Sequence, residues 1–147
     1  MTRYLLDTNI VSDPTRPAPS ASLRDWMAAQ EEESLFIASL TVAEIQRGIL
    51  QLSDGRKRDQ LAAWFSGPEG PQALFAGRVL AFDEHAALVW GRLMAEGKAV
   101  GRPRSGLDMI VAAVAEANNC LVVTGNERDC AGVPFMNPLK PRGQGSS

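Results

Sequence analysis

Short apolar runs alternate along the chain with stretches of helical period, and this alternation constrains the fold more than any other feature. The runs at residues 3–6, 35–37 and 120–123 have the length of buried strands. The stretches between them carry apolar residues at intervals of three and four, which is typical of amphipathic helices. Strands that alternate with helices predict βαβ units and a parallel sheet. The sequence therefore predicts an α/β fold.

Two weaker apolar runs complete the predicted sheet. Residues 79–82 indicate a minor strand, and residues 133–136 indicate an edge strand because Pro134 has no N–H to donate to a ladder. The predicted helices cover residues 20–30, 41–52, 60–65, 84–96 and 106–117.

The length of 147 residues is that of one domain with its own core. We expect this domain to cover residues 1–140 and a flexible tail to cover residues 141–147, which end in Gly-Gln-Gly-Ser-Ser. No apolar run reaches the length of a membrane helix, and no signal-like stretch opens the chain. We therefore expect a cytoplasmic protein with no membrane partner.

Few residues are available for thiol or imidazole chemistry. Cys120 and Cys130 are the only cysteines and do not form a C-x-x-C pair, so we expect reduced thiols rather than a disulfide or zinc site. With His85 as the only histidine, a site built on paired histidines or a Ser-His-Asp triad is poorly supported, and we assign His85 no role.

The net charge of −2 shows no overall basic footprint of the kind that polyanion-binding proteins usually carry. If the substrate is a nucleic acid, bound cations and local basic clusters must meet its phosphates. Two such clusters occur, one at residues 56–58 and one formed by Lys98, Arg102 and Arg104. The alternative is that both clusters are ordinary solvated surface.

Acidic and amide residues recur where the predicted elements join. Asp7 ends the first strand, Glu44 and Asp108 each lie in the first turn of a predicted helix, and Asn126 and Asp129 follow the strand at 120–123. Ligands of open α/β sheets gather at the carboxyl ends of the strands. Carboxylates that converge there repel one another unless a cation lies between them. Mg²⁺ or Mn²⁺ is the expected cation, and activation of water against a phosphodiester is the expected chemistry.

Each acid also has a purely structural interpretation. Residues 41–44, Thr-Val-Ala-Glu, fit a helix capping box, and residues 105–108, Ser-Gly-Leu-Asp, nearly do. Asp7 can likewise cap a short helix, and Asp129 can belong to a simple turn. For single residues the two interpretations stay open. The joint placement of all of them at strand ends and helix starts favours a site.

Four segments together resemble the PIN-domain ribonucleases, and within them the VapC/FitB-type toxins of bacterial toxin–antitoxin pairs. The segments occur in the order typical of that family and cover residues 4–11, 39–48, 107–115 and 121–129. The resemblance implies a three-layer α/β/α fold with a central parallel sheet. It also implies an endoribonuclease that depends on Mg²⁺ or Mn²⁺.

The resemblance further implies a role for each matching position. Asp7, Glu44 and Asp108 match the family's acidic triad, and Asn126 lies where many members have a fourth acid, with Asp129 three residues later. In this interpretation Asp7 and Asp108 hold the metal. Glu44 completes the metal shell or helps to deprotonate water, and Asn126 or Asp129 anchors a water or a second ion.

The neighbours of these acids receive assignments as well. Thr8 and Asn9, beside the first acid, are assigned to substrate binding, although Thr8 can also simply cap a helix. Gly125 and Cys130 depart from the family pattern, which commonly has a basic and an aromatic residue at those places.

The partners follow from the same resemblance. They are an RNA substrate, a cognate antitoxin protein and a second copy of the chain in a homodimer. Two other functions remain as alternatives. A non-catalytic PIN-like binding module would have the same fold, and a haloacid dehalogenase-type phosphatase would need a second acid where this chain has Asn9.

Overall fold

A computed structural model describes residues 1–130 and 132–139 of the chain. Within them five parallel strands form one sheet in the order β3-β2-β1-β4-β5. The strands are β1 (Arg3–Leu6), β2 (Leu35–Ala38), β3 (Val79–Leu80), β4 (Cys120–Val123) and β5 (Phe135–Met136). The predicted parallel sheet is therefore confirmed. The predicted tail at residues 141–147 lies outside the described residues.

Seven α-helices and three short 3₁₀ turns connect the strands in the described part of the chain. The helices are α1 (Thr8–Val11), α2 (Ala21–Ala28), α3 (Ser39–Leu50), α4 (Arg56–Ser66), α5 (Pro71–Leu74), α6 (Glu84–Ala99) and α7 (Gly106–Ala117). The 3₁₀ turns are Asp13–Thr15, Glu32–Ser34 and Glu127–Cys130. None of these helices is long and apolar enough to cross a membrane.

Several predicted boundaries were wrong. The helix predicted at 60–65 begins at Arg56, after Gly55, and α6 continues to Ala99 instead of ending at 96. The strands predicted at 79–82 and 133–136 are each only two residues long in the structure. Helix α5 was not predicted, because a single turn after Gly70 is too short to show a hydrophobic period.

Two apolar clusters lie on opposite faces of the sheet. Successive residues of a strand point to opposite faces, so Leu6 packs with Ile10, Trp26 and Ile45 on one face, whereas Leu5 joins the second cluster. The second cluster contains residues from β4, α6 and α7, namely Ala86, Val111, Val114 and Val122. Helices therefore cover both faces, and the predicted three-layer α/β/α architecture is confirmed.

The order of the strands determines what meets at the carboxyl edge of the sheet. Strand β1 lies in the centre, between β2 and β4. Asp7 follows β1 directly, α3 begins directly after β2, and Thr124 follows β4. The backbone N–H of Asp7 donates to the carbonyl of Val123 (2.9 Å), so these strand ends lie side by side.

Candidate active site

A cavity of about 290 Å³ opens at this carboxyl edge. Every residue that the sequence assigned to a site contributes to its wall: Asp7, Thr8, Asn9, Glu44, Asp108, Asn126 and Asp129. These residues come from the end of β1, from α1, α3 and α7, and from the segment after β4. They meet in one place although they are up to 122 positions apart in the chain. The structure brings the predicted site residues together; their individual roles remain predictions.

Asp7 both caps a helix and faces the cavity. Its Oδ1 accepts the N–H of Thr8 (2.8 Å), which caps α1. Its Oδ2 accepts the Thr124 hydroxyl (2.9 Å) and the Asn9 amide (3.1 Å). The two interpretations of Asp7 are therefore compatible, because the capping hydrogen bonds fix the orientation of a carboxylate that still lines the cavity.

Thr124 donates a hydrogen bond to the Asp7 carboxylate and was not predicted as a site residue. The side chain is fully buried, and its Oγ also accepts the Asn9 amide (3.1 Å) and the backbone N–H of Asn126 (3.0 Å). One hydroxyl therefore joins Asp7, α1 and the turn after β4. The available signal was its position, the first residue after a buried strand and two before Asn126.

Asn9 joins the same network. Its Oδ1 accepts the N–H of Gly125 (2.7 Å), and its Nδ2 donates to Asp7 and Thr124. These bonds tie α1 to the end of β4. The assignment of Asn9 and Thr8 to substrate binding remains a prediction, and the hydrogen bonds show that Asn9 also stabilises the wall of the cavity.

Glu44 is placed differently from the prediction. Helix α3 begins at Ser39 with Ala38 as its cap residue, so Glu44 lies in the second turn and not the first. The predicted capping box was wrong, since Thr41 is fully buried inside the helix and its Oγ has no hydrogen-bond partner among the described residues. Glu44 Oε1 instead accepts the hydroxyl of Thr8 (2.7 Å). That contact links α3 to the residue beside Asp7.

Asp108 lies in the first turn of α7, as predicted, where the Ser105 hydroxyl accepts its N–H (3.5 Å). Desolvation raises the pKa of the Asp108 carboxyl, and the negative charges of Asp129, Asp7 and Glu44 raise it further. A hydrogen bond with the Ser105 side chain opposes this shift. The direction of the shift is the expected consequence of several carboxylates that face one cavity.

The donor atoms suit a hard divalent cation. The walls offer carboxylate, hydroxyl and amide oxygens, which are the ligands that Mg²⁺ and Mn²⁺ prefer. Within residues 1–130 and 132–139, no three acidic, histidine or cysteine side chains are close enough to enclose an ion. A site for Mg²⁺ does not require such a cluster, because this ion usually keeps several waters and takes only one or two protein carboxylates.

The structure shows the surroundings of the two residues that depart from the family pattern, Gly125 and Cys130. Cys130 lies buried in the cavity wall, where burial and then the charge of Asp7 raise the pKa of its thiol to about 11. The thiol therefore stays protonated and is not an activated nucleophile. At Gly125, a side chain would overlap Leu139 and press on Asn9 Oδ1, so a glycine leaves room for both.

A model of the PIN domain family matches residues 4–134. The chain belongs to the PIN domain family. The resemblance drawn from four sequence segments is thereby confirmed, and the match covers β1 to the turn before β5, including the whole candidate site.

Named relatives of this PIN domain protein agree with that assignment. It is 36% identical to the plasmid stability protein StbB of Pseudomonas syringae over 136 residues, which is 91% of the chain and 96% of the relative. It is 32% identical to the toxin FitB of Neisseria gonorrhoeae over 136 residues, with the same coverage. It is also 32% identical to a VapC ribonuclease of Sinorhizobium fredii over 139 residues, 93% of the chain and 98% of the relative.

Solved structures agree as well. A FitAB complex bound to a DNA fragment superimposes with a TM-score of 0.84 at 31% identity, covering 93% of this PIN domain protein and 96% of that chain. A DNA-bound VapBC complex from Salmonella typhimurium gives a TM-score of 0.70 at 26% identity, covering 93% and 96%. Both neighbours are DNA-bound complexes.

Proposed function

We propose that this PIN domain protein is a divalent-metal-dependent endoribonuclease and the toxin of a toxin–antitoxin pair. The observation that carries the proposal is the meeting of Asp7, Glu44, Asp108 and Asp129 in one cavity at the carboxyl edge of the sheet. Carboxylates that face one cavity repel one another, and a bound cation is the simplest compensation for that repulsion. The names of the relatives, a VapC ribonuclease and the toxin FitB, support RNA as the substrate.

In this proposal Asp7 and Asp108 hold Mg²⁺ or Mn²⁺, directly or through water. When bound, such an ion lowers the pKa of water and offsets charge on a phosphoryl oxygen. The hydrogen bonds from Thr8, Thr124 and Asn9 fix the orientation of the Asp7 carboxylate before any ligand arrives. A fixed carboxylate needs little reorganisation on binding, which favours both affinity and positioning.

Glu44 is proposed to accept the proton of the attacking water. Thr8 orients its carboxylate through the 2.7 Å hydrogen bond to Oε1, and no arginine or lysine is paired with Glu44 among the described residues. As water adds to phosphorus, the bond to the leaving ribose oxygen breaks, and that oxygen takes up a proton from solvent, to which Glu44 releases the proton that it accepted. Asn126, which is exposed at the rim, and Asp129 are proposed to anchor a further water or the RNA phosphate.

The partners are proposed from the same relatives. The FitAB and VapBC structures support a cognate antitoxin that binds this chain. A homodimer and a cytoplasmic location are further proposals that follow from the resemblance to these toxins.

The test is cleavage of a fluorescein-labelled RNA with Mg²⁺, with Mn²⁺ and with a chelator. We expect cleavage with a metal ion only, and its loss in Asp7→Asn. The matched control is Asp25→Asn, which removes the same charge from an exposed position on α2 away from the cavity. Circular dichroism checks that both variants are folded.

Three results would overturn the proposal. Full activity of Asp7→Asn would show that Asp7 is not a required metal ligand. Activity in chelator would show that cleavage does not need a metal ion. RNA binding by the wild-type protein without cleavage under any condition would favour the non-catalytic binding module.

A further inference from the structure

A second cleft, of about 480 Å³, adjoins the acidic cavity. Three arginines line it, namely Arg102, Arg104 and Arg128. The two depressions share Asp108 and Asp129 in their walls, so the basic cleft and the acidic cavity are continuous. We call this second depression the arginine cleft.

Two of these arginines have no partner among the described residues. Arg102 and Arg128 are exposed and make no hydrogen bond or ion pair through their side chains within residues 1–130 and 132–139. Other arginines of the chain do pair with carboxylates: Arg16, Arg58, Arg78 and Arg92. Two unpaired guanidinium groups beside a cluster of carboxylates are available to a ligand that carries negative charge.

Arg104, the third arginine of the cleft, is held in place by a hydrogen bond and by close packing. Its Nη1 donates to the carbonyl of Leu93 on α6 (2.7 Å). Glycines make room for the side chain on both sides: a Cβ at Gly97 would lie 2.9 Å from Arg104 Cγ, and one at Gly132 would lie 2.6 Å from Arg104 Nη2. Gly132 also has a φ of +83°, which favours glycine.

The loop that carries Arg102 is held to α6 in the same way. The backbone N–H of Arg102 donates to the carbonyl of Gly97 (2.9 Å), and the Trp90 indole donates to the carbonyl of Gly106 (2.9 Å). The loop is therefore bonded at both ends. It presents Arg102 on the same side as Asp108, a wall residue of both depressions.

We propose that the arginine cleft holds the RNA strand beside the phosphate that is cleaved, with Arg102 and Arg128 contacting neighbouring backbone phosphates. This inference rests on the proposed ribonuclease function and adds the path of the substrate. The protein has a net charge of −2, so its acidic cavity alone would repel RNA. Arginine forms strong charge-assisted hydrogen bonds with phosphate, and phosphate contacts supply affinity without sequence preference.

The two basic clusters noted in the sequence lie at different places in the structure. Arg56 and Lys57 lie at the start of α4, beside a pocket that shares no wall residue with either depression. Arg102 and Arg104 lie at the site. Substitutions in the cluster at 56–58 can therefore serve as the matched control, because they remove positive charge away from the site.

The experiment measures binding of a fluorescein-labelled, mixed-sequence single-stranded RNA by fluorescence anisotropy, in chelator and over a series of salt concentrations. Each phosphate contact to a single strand contributes about 0.7 to the slope of log K against log salt concentration. The double variant Arg102→Gln/Arg128→Gln should lower that slope by ~1.4. The double control Arg56→Gln/Lys57→Gln removes the same charge and should leave the slope unchanged.

Cleavage in Mg²⁺ or Mn²⁺ gives a second readout. The arginine double variant should raise KM and leave kcat unchanged, because the contacted phosphates do not react. An unchanged slope in that variant would overturn the inference, as would an equal loss in both double variants or no RNA binding by the wild-type protein. Since binding is measured in chelator, a protein that binds RNA through the cleft but never cleaves it would refute only the proposed function.

Discussion

Replacing threonine by valine should change the stability of the protein in opposite directions at two fully buried positions, Thr124 and Thr41. Thr124 Oγ makes three hydrogen bonds, to Asp7, Asn9 and the backbone of Asn126, whereas Thr41 Oγ has no partner among the described residues. Both side chains are 0% exposed. Valine has nearly the same shape as threonine, so each substitution changes the hydroxyl and little else. We expect Thr124→Val to destabilise the protein and Thr41→Val to stabilise it.

The magnitudes follow from these contacts. At Thr124 the substitution removes a hydrogen bond to a carboxylate and leaves the N–H of Asn126 without its acceptor. A bond to a charged group contributes about 1.5–3 kcal/mol, and an unsatisfied buried group costs about 1–3 kcal/mol, so we expect a loss of ~3 kcal/mol. At Thr41 the substitution removes a buried hydroxyl that lacks a partner, which should gain ~1 kcal/mol.

Thermal unfolding measures both effects. In a protein of this size a change of 1 kcal/mol moves Tm by about 2–4 °C, so Thr124→Val should lower Tm by ~10 °C and Thr41→Val should raise it by ~3 °C. Thr124→Ser keeps the hydroxyl and is the control, with an expected loss of only ~1 kcal/mol for one methyl group. A loss of stability in Thr41→Val would show that the Thr41 hydroxyl makes a favourable interaction, contrary to its assignment as a buried group without a partner. Equal stability of the valine and serine variants at position 124 would refute the network.

Three other predictions concern the acidic cavity. Because the folded state raises the pKa of Asp108, the folded protein binds more protons there than the unfolded chain, and stability should fall as pH rises from the unfolded pKa through the folded one. Asp108→Asn should therefore raise Tm at neutral pH without metal and flatten that part of the pH–stability curve, and an unchanged curve would contradict the assigned repulsion. Mg²⁺ or Mn²⁺ at one hundred times its Kd should stabilise the wild-type protein by ~2.7 kcal/mol, and calorimetry should find no such shift in Asp108→Ala. With a thiol pKa of about 11 and little exposure, Cys130 should react with a thiol reagent at neutral pH only as fast as the protein unfolds, and a rapid reaction in Cys120→Ser would show that it is accessible.

The sheet was predictable because its signals are local. Apolar runs at 3–6 and 120–123 needed no tertiary information, and their match to β1 and β4 is complete. Helix α7 was likewise predicted with its bounds, since Ser105 caps it and Asn118 follows its last residue. The start of α3 was misplaced because the capping motif at 41–44 is convincing by itself. Only the packing around β2 shows that Thr41 is buried and that the helix begins two residues earlier.

The acidic residues of the site were also predictable, but the hydrogen bonds that orient their carboxylates were not. Asp7 and Asp108 stand at junctions that any α/β chain exposes at one edge of its sheet. The contacts Thr8–Glu44 and Thr124–Asp7 join residues that are 36 and 117 positions apart. A single sequence contains no signal for such distances, because they depend on which strands become neighbours.

The strand order explains why this cavity concentrates negative charge. With β1 in the centre, the ends of β1, β2 and β4 are adjacent, and α7 begins at the same edge, with Asp108 in its first turn, before it runs back to the start of β4. Carboxylates at these junctions share one cavity, and the pKa of the Asp108 carboxyl is raised by desolvation and by the charges of its neighbours. The neutral hydroxyls of Thr8 and Thr124 orient Glu44 and Asp7 without neutralising them, whereas Arg102, Arg104 and Arg128 line the cleft that adjoins the cavity. We propose that a bound ion offsets the negative charge of this cavity, and that Arg102 and Arg128 of the adjoining cleft contact a polyanion that lies alongside.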